Sequence, residues 1–512
     1  MTKVSKAFVV AAAAAVALTL AACSGSPSGN PSSNAAAWDG KQIPKAVISL
    51  AAQTTSFDPT ASVSATDRAV SALMNSGLYN SSLTGEIVPG LAKDIKFSAD
   101  FTSATVTLRD AEFSDGSKVT ANDVKATIDR EIGVPTSTIA SSTRQVASIT
   151  AVDDTTVKFD FKSPYPSFEA GAGSLAIYPA SAMADPATYF KAPTVTSGQY
   201  TITTGWASNK LSLTPNPKYF GGEPAVKDLT VTVIADGNSA ISQLQSGQID
   251  FAGDLAPNYA SQVAKISGLR VESSSVWGFY DLRLQNTKGP FSDPNVRKAA
   301  NLTIDRAAIV KAIWGSYNTP QAGFWPKGMD GNANVSIKTD IPASKKLLKG
   351  TKCESGCDLT MIYSDQDFAF SQQLALMVQQ QLAQIGIKVT LVSLDGATVV
   401  NRLFAADFDI APGAMASNGN TPDQILTLAL NGKGPLKAEF TGYDSDVMNG
   451  YIQEAITNSG DKRKQAAEEI EKQFSADQPL LTLAPWIRQS ATKLPSGVFV
   501  LTGAVAAMAS VK

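Results

Sequence analysis

Cys353 and Cys357, in the stretch KCESGC, are the pair whose spacing suggests chemistry most directly. Outside a reducing cytosol such a pair closes a small disulfide loop. The alternative is a metal held by two thiolates. It is a poor site without further ligands, and the chain contains no histidine. The missing imidazole also removes a Ser-His-Asp triad, a Cys-His pair and histidine-ligated zinc. Hydrolysis by paired carboxylates and Ser-Lys chemistry survive this exclusion. No G-x-S-x-G, S-x-x-K, P-loop or G-x-G-x-x-G stands in a credible context. The residues call for no metal or cofactor, and a secreted Asp/Glu hydrolase stays open only as a distant alternative.

What remains is binding chemistry. The stretch APGAMASNGNTPD, residues 411–423, follows DFDI, which reads as a short buried strand, and precedes a helix start at Gln424. It holds small residues, amides and turn formers with almost no charge. Read as a loop at the end of a buried strand, it is a ligand-site candidate, with Met415, Asn418, Thr421 and Asp423 as contacts. A second polar loop, TTSF, offers Thr55, Ser56 and Phe57. Trp277 and Tyr280 in SSVWGFYDLRLQN, and Trp325 beside Phe324 in GFWPKG, supply rings that stack on sugars, apolar groups or planar chelates. Packing in a core is the other reading of each ring. Asp365 in YSDQDF either faces ligand or caps the helix that follows.

The elements that must position these residues begin after a leader. Lys3 and Lys6 precede an apolar run from Ala7 to Ala22, which is short for a membrane span of about 20 residues and fits a secretory signal. Its ending, Leu20-Ala21-Ala22-Cys23, resembles a bacterial lipobox. That resemblance implies a signal peptide over 1–22 and a lipid on Cys23; an ordinary cleaved signal with an incidental Cys is the alternative. Residues 23–41 are rich in Ser, Gly, Asn and Pro and read as a flexible tether. The remaining length suggests two or three lobes. A formal net charge of −2 argues against nucleic acid as a partner.

Along the body, strands are expected at 45–52, 104–110, 155–161, 227–236, 357–364 and 388–394, with another in LLTLAPW. Helices are expected at 65–80, 120–132, 238–250, within 290–315, at 370–387 and at 461–479. Thr120 with Asp123 three residues on forms a capping-box start, and Gly247 and Gly386 stop two helices. Alternating helices and strands predict an α/β fold with mixed sheets.

Several segments together resemble the solute-binding proteins of ABC importers for dipeptides, oligopeptides, nickel chelates and some sugars, known as solute-binding family 5. They include LYNSSLTGEIVPGLAKDI (78–95), VTLRDAEFSDGSKVTANDVKATIDR (106–130), LTPNPKYFGGEPAVKDLTV (213–231), LQSGQIDF (244–251), GPFSDPNVRKAANLTIDRAAIV (289–310) and QLAQIGIKVTLVSL (381–394). The resemblance implies a type II periplasmic-binding-protein-like fold: two lobes joined by a hinge, plus an extra α+β subdomain. Lobe I would be discontinuous over 42–70, 196–285 and 485–512, the subdomain would span 71–195, and lobe II 286–484. It also implies an ABC permease and ATPase as partners, a monomer, and a place on the outer or periplasmic side of the membrane.

Against the family pattern the site departs in two places. Where peptide-binding members resemble GW..D..DP, this chain has AMASNGNTPD, so Met415 replaces the Trp, Asn418 the amine-binding Asp, and Thr421 the next acid. A buried ammonium without an anion is strongly destabilised, and an amide supplies no charge. Near the place of the carboxylate-binding Arg stands Asp365. A peptide or peptide-like solute is expected, neutral or blocked at its ends, with an oligosaccharide or metal chelate as the alternative. Asp423 is a substitute acid for an amine.

Overall fold

Hydrophobic periodicity and local capping account for most of the observed elements. The computed structural model describes residues 37–61, 65–134, 143–327, 329–365, 370–417, 422–434, 436–502 and 505–511, without side chains at 65, 275–277 and 502. Residues 1–22, read from sequence as a signal peptide, and Cys23 lie outside the described residues. The helix Ala121–Ile132 starts as read: the Thr120 backbone N–H donates to Asp123 Oδ2 at 2.7 Å. Helix Gly237–Ser246 is capped by Asp236, which accepts from the Ser239 N–H at 2.8 Å, and ends at Gly247 with φ 75°, the left-handed conformation glycine adopts without strain. Asp293 likewise caps helix Pro294–Thr303.

Residues 35–512 form one compact unit. Its backbone is a ten-stranded mixed sheet. In spatial order the strands are Ile387–Ser393, Cys357–Tyr363, Ile410–Ala416, Arg270–Leu284, Leu480–Thr492, Phe251–Ala252, Ile43–Leu50, Val226–Val233, Lys210–Pro215 and Tyr200–Ala207. Ile43–Leu50 runs parallel to Val226–Val233, and Cys357–Tyr363 parallel to Ile387–Ser393, with helices on the connections as parallel pairing requires. A separate antiparallel sheet, in the order Ala92–Phe97, Ser103–Leu108, Thr156–Phe161, Val146–Ala151, packs under helix Ala121–Ile132.

The buried side chains fall into separate clusters. One joins Ile48, Leu50, Val70, Leu73, Tyr200, Val231 and Leu501; another is built from residues 78–177; a third joins Leu282, Val296, Trp314, Met361, Val378 and Leu481. Cys353 and Cys357 are joined as a disulfide, and Cys353 is buried in the third cluster.

Two readings from sequence need correcting. The tether does not run free to 41: the Trp38 N–H donates to Ser496 O at 3.1 Å, and its ring packs on the first cluster. More consequentially, APGAMA is not a loop but most of the strand Ile410–Ala416. Small residues are required there. Gly413 lies opposite Asp281, and a Cβ on it would sit 2.6 Å from both Arg283 Nε and Asp281 Oδ1.

Candidate ligand-binding cleft

Two strands longer than the rest carry the sheet from one core to another. Arg270–Leu284 and Leu480–Thr492 pair antiparallel; Val271 and Ala491 sit in one buried cluster, Leu282 and Leu481 in another. Their register slips between Ser275, opposite Ile487, and Phe279, opposite Pro485. Three residues on one strand therefore face one on the other, a bulge that bends the pair and interrupts the ladder. Pro485 adds a position without an N–H.

The candidate residues divide around this crossing. Thr55 is fixed by Asp67, whose carboxylate accepts from the Thr55 backbone N–H at 2.7 Å and from its hydroxyl at 2.8 Å. Ser56 Oγ accepts from the Asp58 N–H at 2.9 Å. Ser56 and Phe57 line a cavity of about 450 Å3. Asp365 is exposed and accepts from the Gln372 N–H at 3.1 Å, which makes it a cap for helix Ser371–Ala383. Asn418 and Thr421 lie outside the described residues. Trp277 has its backbone in the bulge, and its side chain lies outside the described set.

Three candidates are core side chains. Tyr280 is 6 % exposed and packs on Trp314 and Phe370 with ring centroids 4.9 and 5.5 Å apart. Met415 sits opposite Phe279, buried against Phe324 and Leu426 in one cluster. Trp325 donates its indole N–H to Ala467 O at 2.8 Å and packs edge-on against Phe324. Their rings and thioether are fixed by packing, which is why apolar residues at these positions read equally as site or core.

Asp423 is the candidate that gathers partners. It opens helix Asp423–Ala429, pairs with Arg463 Nη2 at 2.5 Å, and accepts from the hydroxyl of Ser167. Ser167 belongs to the segment after the small antiparallel sheet, so this carboxylate joins two parts of the chain 256 residues apart. Beside it lies a cavity of about 320 Å3, lined by Pro166, Trp325, Asp330, Pro422, Leu426 and Arg463 among others.

A family model described as bacterial extracellular solute-binding proteins, family 5 Middle, matches residues 86–435. The chain belongs to this family. It is 30% identical over 379 residues to the probable D,D-dipeptide-binding periplasmic protein DdpA of Escherichia coli K12, covering 72% of this chain and 73% of that one. It is 28% identical over 364 residues to the glutathione-binding protein GsiB of Shigella boydii, covering 68% and 69%. Among solved structures, NikA from Brucella suis in complex with Fe(III)-EDTA superposes with a TM-score of 0.79 at 20% identity, over 90% of this chain and 98% of that one. The fold is thus the two-lobed type II fold of periplasmic binding proteins, and the family 5 relatives are substrate-binding proteins, not enzymes.

One group in this family 5 chain escaped the sequence reading. Asp281 and Glu439 are fully buried beside Arg283, which donates to Glu439 Oε1 from Nε at 2.9 Å and from Nη2 at 2.8 Å. Burial raises both acids; the charge of Glu439 raises Asp281 further, whereas Arg283 and Asp281 lower Glu439, so Glu439 is the carboxylate that answers the guanidinium. Glu439 is delivered by four successive residues with positive φ, Lys437 to Phe440, a left-handed turn that costs about 1 kcal/mol or more per residue. Its legible signal is the alternation D-L-R in an otherwise apolar strand; the partner, 156 residues away, has none.

Proposed function

We propose that this chain is the solute-capturing subunit of an ABC importer, tethered to the outer face of the membrane through a lipid on Cys23 and working as a monomer. Lobe I (42–70, 196–285, 485–512) and lobe II (286–484) close on the solute, with 71–195 as an accessory subdomain. The bulged strand pair and the cluster over residues 78–177 support this division, while the third cluster reaches across the boundary at 285 through Leu282 and Leu284. The solute is a peptide or peptide-like molecule without a free α-ammonium. The peptide class is supported by the relatives named for a D,D-dipeptide and for glutathione.

The observation that carries the solute reading is the engagement of Asp423. The acid nearest the family's amine-binding place pairs with Arg463 and Ser167, and Asn418 supplies an amide where an acid would be needed. Calorimetry with a matched pair, a free-amino tripeptide and its N-acetylated form, tests it. The acetylated form binds tighter to the natural chain, and Asn418→Asp reverses the preference. Tighter binding of the free amine by the natural chain overturns the reading.

A further inference from the structure

The cavity of about 450 Å3 runs along helix Ala65–Met74, between it, the end of helix Ala121–Ile132 and the strands Ile87–Pro89 and Val505–Met508. Its described lining comes from residues 56–221 and 505–510, and none from 286–484. Lobe closure is therefore not needed to build it. Its volume falls in the range of small-molecule sites, roughly 300–1,000 Å3, and far above the ~30 Å3 share of one water.

Its walls hold polar groups with nothing to bond. Arg68 Nε, Arg109 Nε, Asn75 Oδ1 and Glu131 Oε2 are buried without a hydrogen-bond partner among the described residues. Asn75 and Glu131 are 5 % and 2 % exposed. Arg68 forms no ion pair among the described residues; the charge of its neighbour Asp67, which accepts from Thr55, acts on it against the cost of burial. Arg109 is oriented by stacking over Phe220, 4.5 Å from the ring centre. Burial pushes Glu131 up to about 8, with Arg130 lowering it and Asp58 raising it, and Tyr178 beside it. The other Glu131 oxygen, Oε1, lies 3.8 Å from Arg130 Nη1. Two cationic donors and one amide oxygen, each with an unpartnered atom, thus line a space walled by Phe57, Val88, Leu175 and Met508. Such groups left unmade cost about 1–3 kcal/mol each, so a ligand that completes them is favoured.

We propose that this cavity is a second ligand site, which takes a small carboxylate with an apolar body and one N–H donor, the chemistry of an N-acylated amino acid. The carboxylate meets Arg68 and Arg109, the N–H meets Asn75 Oδ1, and the apolar body lies on the aliphatic and aromatic wall. It binds whether or not the cleft between the lobes is occupied.

Calorimetry on the full mature chain with N-acetyl-phenylalaninate as the probe, paired with a crystal structure of the complex, tests this. The expected result is one event with a dissociation constant below about 1 mM and probe density in the cavity. Arg68→Gln weakens it at least about tenfold, and Ala72→Trp, which fills the cavity, abolishes it. The solute that co-purifies in the cleft keeps its affinity in Ala72→Trp within about twofold. Should Arg68→Gln unfold, Asn75→Asp replaces it: a new carboxylate facing the probe weakens binding by a similar factor. No binding, binding indifferent to these substitutions, water alone in the cavity, or competition with the cleft solute overturns the proposal. Loss of cleft binding with the cavity event intact refutes only the importer reading.

Discussion

Ser167 to alanine is the smallest change that probes closure. The hydroxyl is its only loss, and the Asp423–Arg463 pair remains. Both partners of that pair are about a fifth exposed, 16% and 20%, so the carboxylate is partly shielded from water. A hydrogen bond to a charged acceptor contributes about 1.5–3 kcal/mol when desolvated, and partial exposure brings the expected value to about 1.5. On the lobe division proposed above, the bond joins the accessory subdomain to lobe II and is expected to form only when the lobes meet. Its loss falls on the closed state alone, and about 1.4 kcal/mol is tenfold in affinity. Ser167→Ala therefore weakens the cleft solute about tenfold by calorimetry and leaves the melting temperature of the solute-free protein within about 2 °C. Asp423→Asn weakens it further, and the double variant is less than additive because both act on one contact. Wild-type affinity in Ser167→Ala, or a large drop in solute-free melting, refutes the assignment of this bond to closure.

Glu131 gives a pH signature. Its folded value is raised to about 8 from an ordinary 4.5, so the folded state binds the proton more tightly. Its contribution to stability is therefore fully present below 4.5, falls by up to about 1.4 kcal/mol per pH unit between 4.5 and 8, and is lost above. Glu131→Gln removes that slope in urea titrations and gains about 1–3 kcal/mol at pH 7; an unchanged slope counts against it. Glu439→Gln leaves Arg283 buried without its anion and costs about 3 kcal/mol in the same assay, whereas Asp281→Asn, which keeps a donor toward Glu439, costs under about 1. Equal costs would contradict the placing of the charge on Glu439. Gly413→Ala drives a methyl into Arg283 and Asp281 and lowers stability by about 2 kcal/mol, with wild-type denaturation as the contrary result. Cys23→Ser releases the protein from the membrane fraction into the medium or periplasm; retention on the membrane contradicts the lipid assignment.

Local rules made much of the fold legible. Thr120 with Asp123, Asp236 with Gly247, and the alternating strands declare themselves within a few residues, because capping and amphipathic burial are short-range. The family resemblance was legible for the same reason, as turn-and-cap segments in a fixed order. The strand Ile410–Ala416 was not. Its Pro412 and Gly413 carry the composition of a turn, and only the guanidinium of Arg283 across the sheet explains the missing side chain. Tyr280, Met415 and Trp325 misled in the opposite sense: large apolar groups suit a cleft or a core, and long-range packing decides. Ser167 and Glu131 carried no signal, since a serine in a loop and a glutamate in a helix become notable only when a distant segment closes over them.

The central claim, capture of a peptide-like solute without a free α-ammonium, meets its most direct test in any solute that accompanies the protein through purification. Mass spectrometry of the material released on denaturing the purified mature chain, followed by calorimetry with the identified compound, reads it. The account predicts a peptide-like solute, blocked or neutral at its amino end, that rebinds with micromolar affinity or tighter. Release and tight rebinding of a free-amino dipeptide would contradict it.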